Sequence, residues 1–394
     1  MQRGTARDSA IASVDGAKAN FQKGDLAALS RSVDNVVSAL GPESTAAASR
    51  ILAIKTQADL LDLSDNQAAI SYLTDAILKT TSPSGRLDLK LYLAEKRLAP
   101  LVERGEKEQI EGLRREAVDA LVPQASQLGE PDLAATAYLL VADLDYALLK
   151  WSQAPGNEYR DALTKALALV TPERDVNRWS QVQHSIGVYE FSSGHYQKAI
   201  EDYDIVLKAR RGSIAWPILS ETYFGQANAY AALGEKLDSR AEAVAALTKS
   251  VADNDEAITL YKQNTGVVPM RMAINGADHM ATLAVKINDP DGLLKSARAI
   301  EDHKDDSNSA IYPMSWSHVQ AIIATHYHNA GILLCRARRV TECVAALSKA
   351  TQYYSRSFSV FKREIAPAFY DELKRQSEEN EQTLRIAMNL ESGG

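Results

Sequence analysis

At 394 residues the chain is too long for one ordinary core, so it holds two or three domains or a repeat array that grows by adding layers. Apolar residues at 45% and charged residues at 24% are globular proportions and argue against disorder. With 44 basic against 51 acidic residues the formal charge is −7, which is not the basic footprint of a nucleic-acid binder.

Ala, Leu, Glu, Lys and Gln are abundant, and all favour helices. Alternating runs of Val, Ile and Thr are scarce, so strands have little support. No apolar run is long enough for a signal peptide or a membrane span. The two cysteines, Cys335 and Cys343, are too few for a secreted disulfide scaffold and read as buried structural thiols. A cytoplasmic location follows as the expectation.

In chain order, helix hairpins are expected to turn near Gly24, Asp65, Gly105, Gly156, Gly194, Gly234, Asp289 and Arg338. In the first, small and apolar residues run from Ala17 through Leu29 and Val33 to Val36. In the second they run from Ala58 through Ile70 and Thr74 to Ile77. Gly41 to Ser44 separates the first two units as a helix stop and a Pro-led start, and Ser82 to Gly85 separates the second from the third. The fourth pairs an apolar helix from Leu133 to Trp151 with one from Tyr159 to Val170. The seventh turns at NDPDG, Asn288 to Gly292. The stretch Glu301 to Pro313 is the most polar between helices and is expected to be an exposed loop. The tail from Glu364 is polar and reads as a capping helix.

The fifth and sixth units carry the clearest frame. From Gly187, Gly194 lies at +7, Tyr196 at +9, Ala199 at +12, Tyr203 at +16 and Val206 at +19. From Ala227 the same offsets give Gly234, Lys236, Ser239, Ala243 and Ala246. From Gly331 they give Arg338, Val340, Cys343, Leu347 and Ala350. This frame resembles the tetratricopeptide repeat, a helix–turn–helix unit that stacks into a solenoid. The departures are Glu190 in place of an aromatic, Ser239 and Cys343 in place of a second-helix Ala, and Arg338 in place of the turn Gly. The resemblance implies an all-α, right-handed superhelical solenoid of about eight antiparallel helix hairpins. It would span residues 1–363, with a polar capping helix and tail at 364–394.

In that family the first helix of each unit lines a concave groove. The resemblance therefore implies a peptide-binding groove of Gln181, His184, Val188 and Phe191, then Glu221, Phe224 and Asn228, then Thr325, His328 and Ile332. Amide, imidazole and aromatic groups there suit an extended or helical peptide.

No catalytic residue stands out. His326 and His328 point about 200° apart on a helix and cannot share a metal, so no metal and no cofactor is expected. His318 and His326 share a face, which suits packing or the groove. The expected function is a non-enzymatic scaffold for a protein or peptide partner, without nucleic acid or membrane insertion, with oligomerisation left open. The alternatives are a peptide-responsive regulator or the sensory half of a signalling enzyme.

Overall fold

The computed structural model describes residue 33, residues 47–62, 65–151, 157–209, 214–266, 268–301 and 313–360, residue 363 and residues 367–392. Apart from Val33 the first expected hairpin lies outside them, as do the turn at Gly156 and the polar stretch 302–312. The described residues are helical almost throughout and contain no strand. They divide into two compact units, Met1–Ser185 and Ile186–Gly394, with the boundary inside one helix.

The first unit contains α1 (Ala47–Asp62), α2 (Asn66–Lys79), α3 (Pro83–Arg104), α4 (Lys107–Glu116), a π-turn (Ala117–Leu121), α5 (Val122–Leu128), α6 (Pro131–Leu148), α7 (Asn157–Leu167) and the start of α8 (Val176–Ser192). Local chemistry places the ends. Asp65 caps α2, its carboxylate accepting from the amides of Gln67 (2.9 Å) and Ala68 (3.2 Å). Ser82 caps α3 with Pro83 in its first turn, so Pro83 to Gly85 begin the helix rather than separate two. Gly105 closes α3 in the left-handed region at φ 69°. The backbone then stays helical from α4 through the π-turn into α5. Pro123 has no N–H to give, and the wide turn before it absorbs the lost bond. Ile51, Ile54, Ala58, Leu73, Ala76 and Leu89 form one buried cluster here.

The second unit takes the rest of α8, then α9 (Tyr196–Lys208), α10 (Trp216–Lys236), α11 (Arg240–Thr265), α12 (Met270–Ile287), α13 (Pro290–Glu301), α14 (Pro313–Arg336), α15 (Val340–Val360) and α16 (Pro367–Ser392). Helices α10 and α11, α12 and α13, and α14 and α15 pack as hairpins, and α16 lies on α14 and α15. Gly194 makes the α8–α9 turn at φ 78°, while Asn288 and Arg338 take the same left-handed place in later turns. Close helix crossings explain the small residues. A Cβ on Gly187 would stand 2.6 Å from the Tyr203 ring, and one on Gly331 2.5 Å from Leu347.

The structure moves one frame. Gly234 is not a turn residue but lies buried inside α10, where a Cβ would meet Leu247 at 2.9 Å. Ser239 is the cap of α11 and not a packing residue. Helix α9 starts nine residues after Gly187, and α11 starts nine after Ala231. Ala231 therefore takes the place expected of Ala227, one helical turn later on the same face. The thiol expectation is also corrected. Cys335 and Cys343 form a disulfide across the last hairpin, with S–S 2.03 Å and Cα atoms 5.2 Å apart. The hairpin brings the two within bonding reach, which their spacing alone does not show.

Candidate functional site

The groove expected at the first-helix face falls into three places. Gln181 and His184 lie on the first-unit part of α8, and Gln181 accepts from Arg178 at 3.0 Å. Val188 and Phe191, on the second-unit part, pack partly buried against Ala199, Ile200, Tyr203 and Ala229. On α10, Glu221, Phe224 and Asn228 meet α12. Arg271 bonds Glu221 and sits 5.1 Å over the Phe224 ring, and the Asn275 amide donates to Asn228 Oδ1 at 3.2 Å. Thr325 and His328 turn to α16 instead. Thr325 donates to Gln376 at 3.1 Å, and His328 Nδ1 bonds Asn380 Oδ1 at 3.2 Å. His328 is buried, and burial pushes its imidazole down despite the bond to Asn380. Ile332 is half-buried on the same helix.

Arg271 and Asn275 were not singled out from the sequence. For Asn275 the turn at Asn288 supplies the frame: counting from Ala281, seven before that left-handed residue, Asn275 falls where Gln181 stands relative to Gly187. The Asn228–Asn275 bond uses one donor and one acceptor. Each amide group has the other kind to spare, so the pair offers a donor and an acceptor side by side, the pattern of a peptide edge.

Further along, His326 of α14 joins three helices. Its Nε2 is 3.0 Å from Asp278 Oδ1 on α12, and its Nδ1 is 3.2 Å from Ser296 Oγ on α13. Ser, His and Asp are thus in line, but in the wrong sense for catalysis. Ser296 is fully buried and donates to the Leu293 carbonyl at 2.8 Å, whereas Asp278 is the end that reaches solvent. A nucleophile must reach its substrate. Burial raises the Asp278 carboxyl, but the His326 bond and the imidazoles of His279 and His318 outweigh it and hold it below its ordinary value. Among the described residues no group of three His, Cys, Asp or Glu side chains could hold a metal ion.

The first unit has its own charged face. Glu95 of α3 and Asp143 of α6 reach solvent, yet the neighbouring helices strip water from both. Burial, with the charge of Glu95, pushes Asp143 up to about 7. Burial raises Glu95 as well, against the opposing pull of Lys55 and Arg178. Nothing in the sequence spacing joins residues 95 and 143.

No family model and no curated protein sequence matches the chain. Among solved structures it is similar to a Rap protein complexed with Competence and Sporulation Factor, at 12% identity, covering 95% of this chain and 99% of that one, with a TM-score of 0.46. It is similar to the P58(IPK) TPR domain, at 12% identity over 96% and 99%, with a TM-score of 0.25. A circular tandem repeat protein with novel repeat topology gives 13% identity over 99% of each chain and a TM-score of 0.24. On their own geometry of paired helices and left-handed turns, the described residues of each unit are all-α and built of helix hairpins like those of tetratricopeptide repeats.

Proposed function

We propose that the chain is a non-enzymatic scaffold that binds an extended peptide segment of a protein partner along its first helices. The observation that carries this is the Asn228–Asn275 pair on neighbouring first helices, both half-exposed, with one amide donor and one acceptor to offer. An amide pair bonds a peptide backbone through both groups whatever the side chains. Phe224 is buried under the Arg271 guanidinium, so the exposed cation and not the ring stands beside the pair. Val188, Phe191 and Ile332 extend the same reading to α8 and α14. Helix α16 serves as the cap that covers Thr325 and His328. The burial of Ser296 supports the non-catalytic part. The acidic balance of the chain supports a protein rather than a nucleic-acid partner.

Among the described residues no helix is long and apolar enough to cross a membrane. The cytoplasmic setting is the part of the reading against which the Cys335–Cys343 disulfide weighs, since such bonds persist in oxidising compartments.

The test is a screen of the purified chain against an immobilised peptide library, followed by titration of the best peptide. Asn228→Ala with Asn275→Ala should weaken binding by about 2 kcal/mol or more, roughly 30-fold. The control, Glu256→Ala with Lys262→Ala on the exposed side of α11, should leave it unchanged. Loss in the control alone would move the site to the second helices. No bound peptide at all would end the reading.

A further inference from the structure

Three imidazoles and two carboxylates gather where α10, α12 and α14 meet in the second unit. His326 of α14 is 2% exposed and has both ring nitrogens engaged, by Asp278 of α12 and Ser296 of α13. His279, next to Asp278 on α12, is 6% exposed, and its Nδ1 has no hydrogen-bond partner. His318 of α14 acts on the same Asp278 charge. From α10, Glu235 faces Asp278, with Lys286 of α12 acting on it in turn.

We propose that this seam is an acid-sensitive hinge: it holds α12 against α14 at neutral pH and loosens as the buried His279 takes up a proton. The reason is the environment of His279. A proton there puts a charge into the interior, beside a nitrogen with nothing to accept from it or donate to it. The charge acting on His279 is Asp278, and that carboxylate already serves His326. Burial therefore lowers His279 to about 4 against the pull of Asp278, and it lowers His318 in the same way. The other elements packed on α12 offer no relief. Helix α13 presents the Ser296 hydroxyl to His326, and α11 presents Asn254, whose amide donates to the Met272 carbonyl at 3.2 Å. Neither takes up a proton in this range. Burial and the Asp278 charge raise Glu235, which acts on Asp278 and not on the imidazoles.

The sign follows from linkage. An opened seam returns His279 to its ordinary value near 6.5, so the open form binds more protons below that value. Stability of the seam is whole above 6.5 and is lost as pH falls towards 4. For His279 alone, with values of 6.5 open and about 4 closed, the open population should rise about 30-fold between about pH 7.5 and about pH 5.

Hydrogen exchange on the full chain at those two pH values, corrected for intrinsic rates, reads this directly. Amides of α12 and α14 should lose protection about 30-fold at the lower pH, and His279→Gln should remove most of that loss. Equal protection of α12 at both pH values overturns the proposal, as does an undiminished loss in His279→Gln. Should that variant fail to fold, NMR titration of the wild-type imidazoles decides. His279 should titrate well below its ordinary value, with α12 amides broadening over the same range. Titration of His279 at its ordinary value overturns the hinge. Neither readout involves a peptide, so the result stands apart from the binding reading.

Discussion

Gly187 gives the sharpest test of the packing. Tyr203 of α9 is 1% exposed, and its ring lies between Gly187 of α8 and Gly225 of α10. A single methyl on residue 187 would sit 2.6, 2.8 and 2.9 Å from three ring carbons. The ring has little room to withdraw, because a Cβ on Gly225 would stand 2.7 Å from the same ring. Overpacking of this kind costs about 1–3 kcal/mol. Replacing Gly by Ala inside a helix recovers about 0.5–1 kcal/mol. Gly187→Ala should therefore destabilise by a net of about 0–2.5 kcal/mol, centred on about 1 kcal/mol, read as a lower urea midpoint by far-ultraviolet circular dichroism. Gly112→Ala in α4 is the opposite case: a Cβ there meets nothing within 4 Å, so that change should stabilise by about 0.5–1 kcal/mol. In a Tyr203→Ala background the Gly187→Ala penalty should vanish, since the clashing ring is gone. A Gly187→Ala protein stabilised as much as Gly112→Ala, or a penalty that survives Tyr203→Ala, would refute the crossing.

Three further outcomes are expected. Reducing the Cys335–Cys343 bond, which closes a loop with a sequence separation of 8, should cost about 2.5 kcal/mol by loop entropy; equal urea midpoints with and without reductant would mean the bond does not form. Arg338 holds a left-handed φ of 60°, so Arg338→Gly should stabilise by about 0.5–1 kcal/mol, whereas Gly194→Ala at φ 78° should destabilise by about 1 kcal/mol; a reversed order would place the turns elsewhere. Asp143 is raised to about 7 from 3.8, so the folded form binds the extra proton and stability is lost as pH rises through about 7. Asp143→Asn should therefore raise the urea midpoint more at about pH 8 than at about pH 5, and an equal gain at both would show that Asp143 titrates normally.

Features written in neighbouring residues were legible without the fold. Asp65 before a polar-apolar helix, and Gly105 and Gly194 after apolar runs, act through bonds and dihedrals within a few residues. The same holds for the small residues at Gly187 and Gly331, because a close crossing repeats at a fixed distance from its turn. The sixth hairpin shows where this stops. Residues 227 and 231 are both Ala and lie one helical turn apart on one face, so spacing fits either. Only the end of α10, set by its packing on α11, chooses Ala231. The candidate sites needed more still. Asn228 and Asn275 meet because α10 and α12 lie side by side, and Asp278, Ser296 and His326 meet because three helices converge. Glu95 and Asp143 share a face for the same reason. Helix periodicity says which way a side chain points from its own helix. It carries no term for which other helix stands opposite, and that was decided by tertiary packing alone.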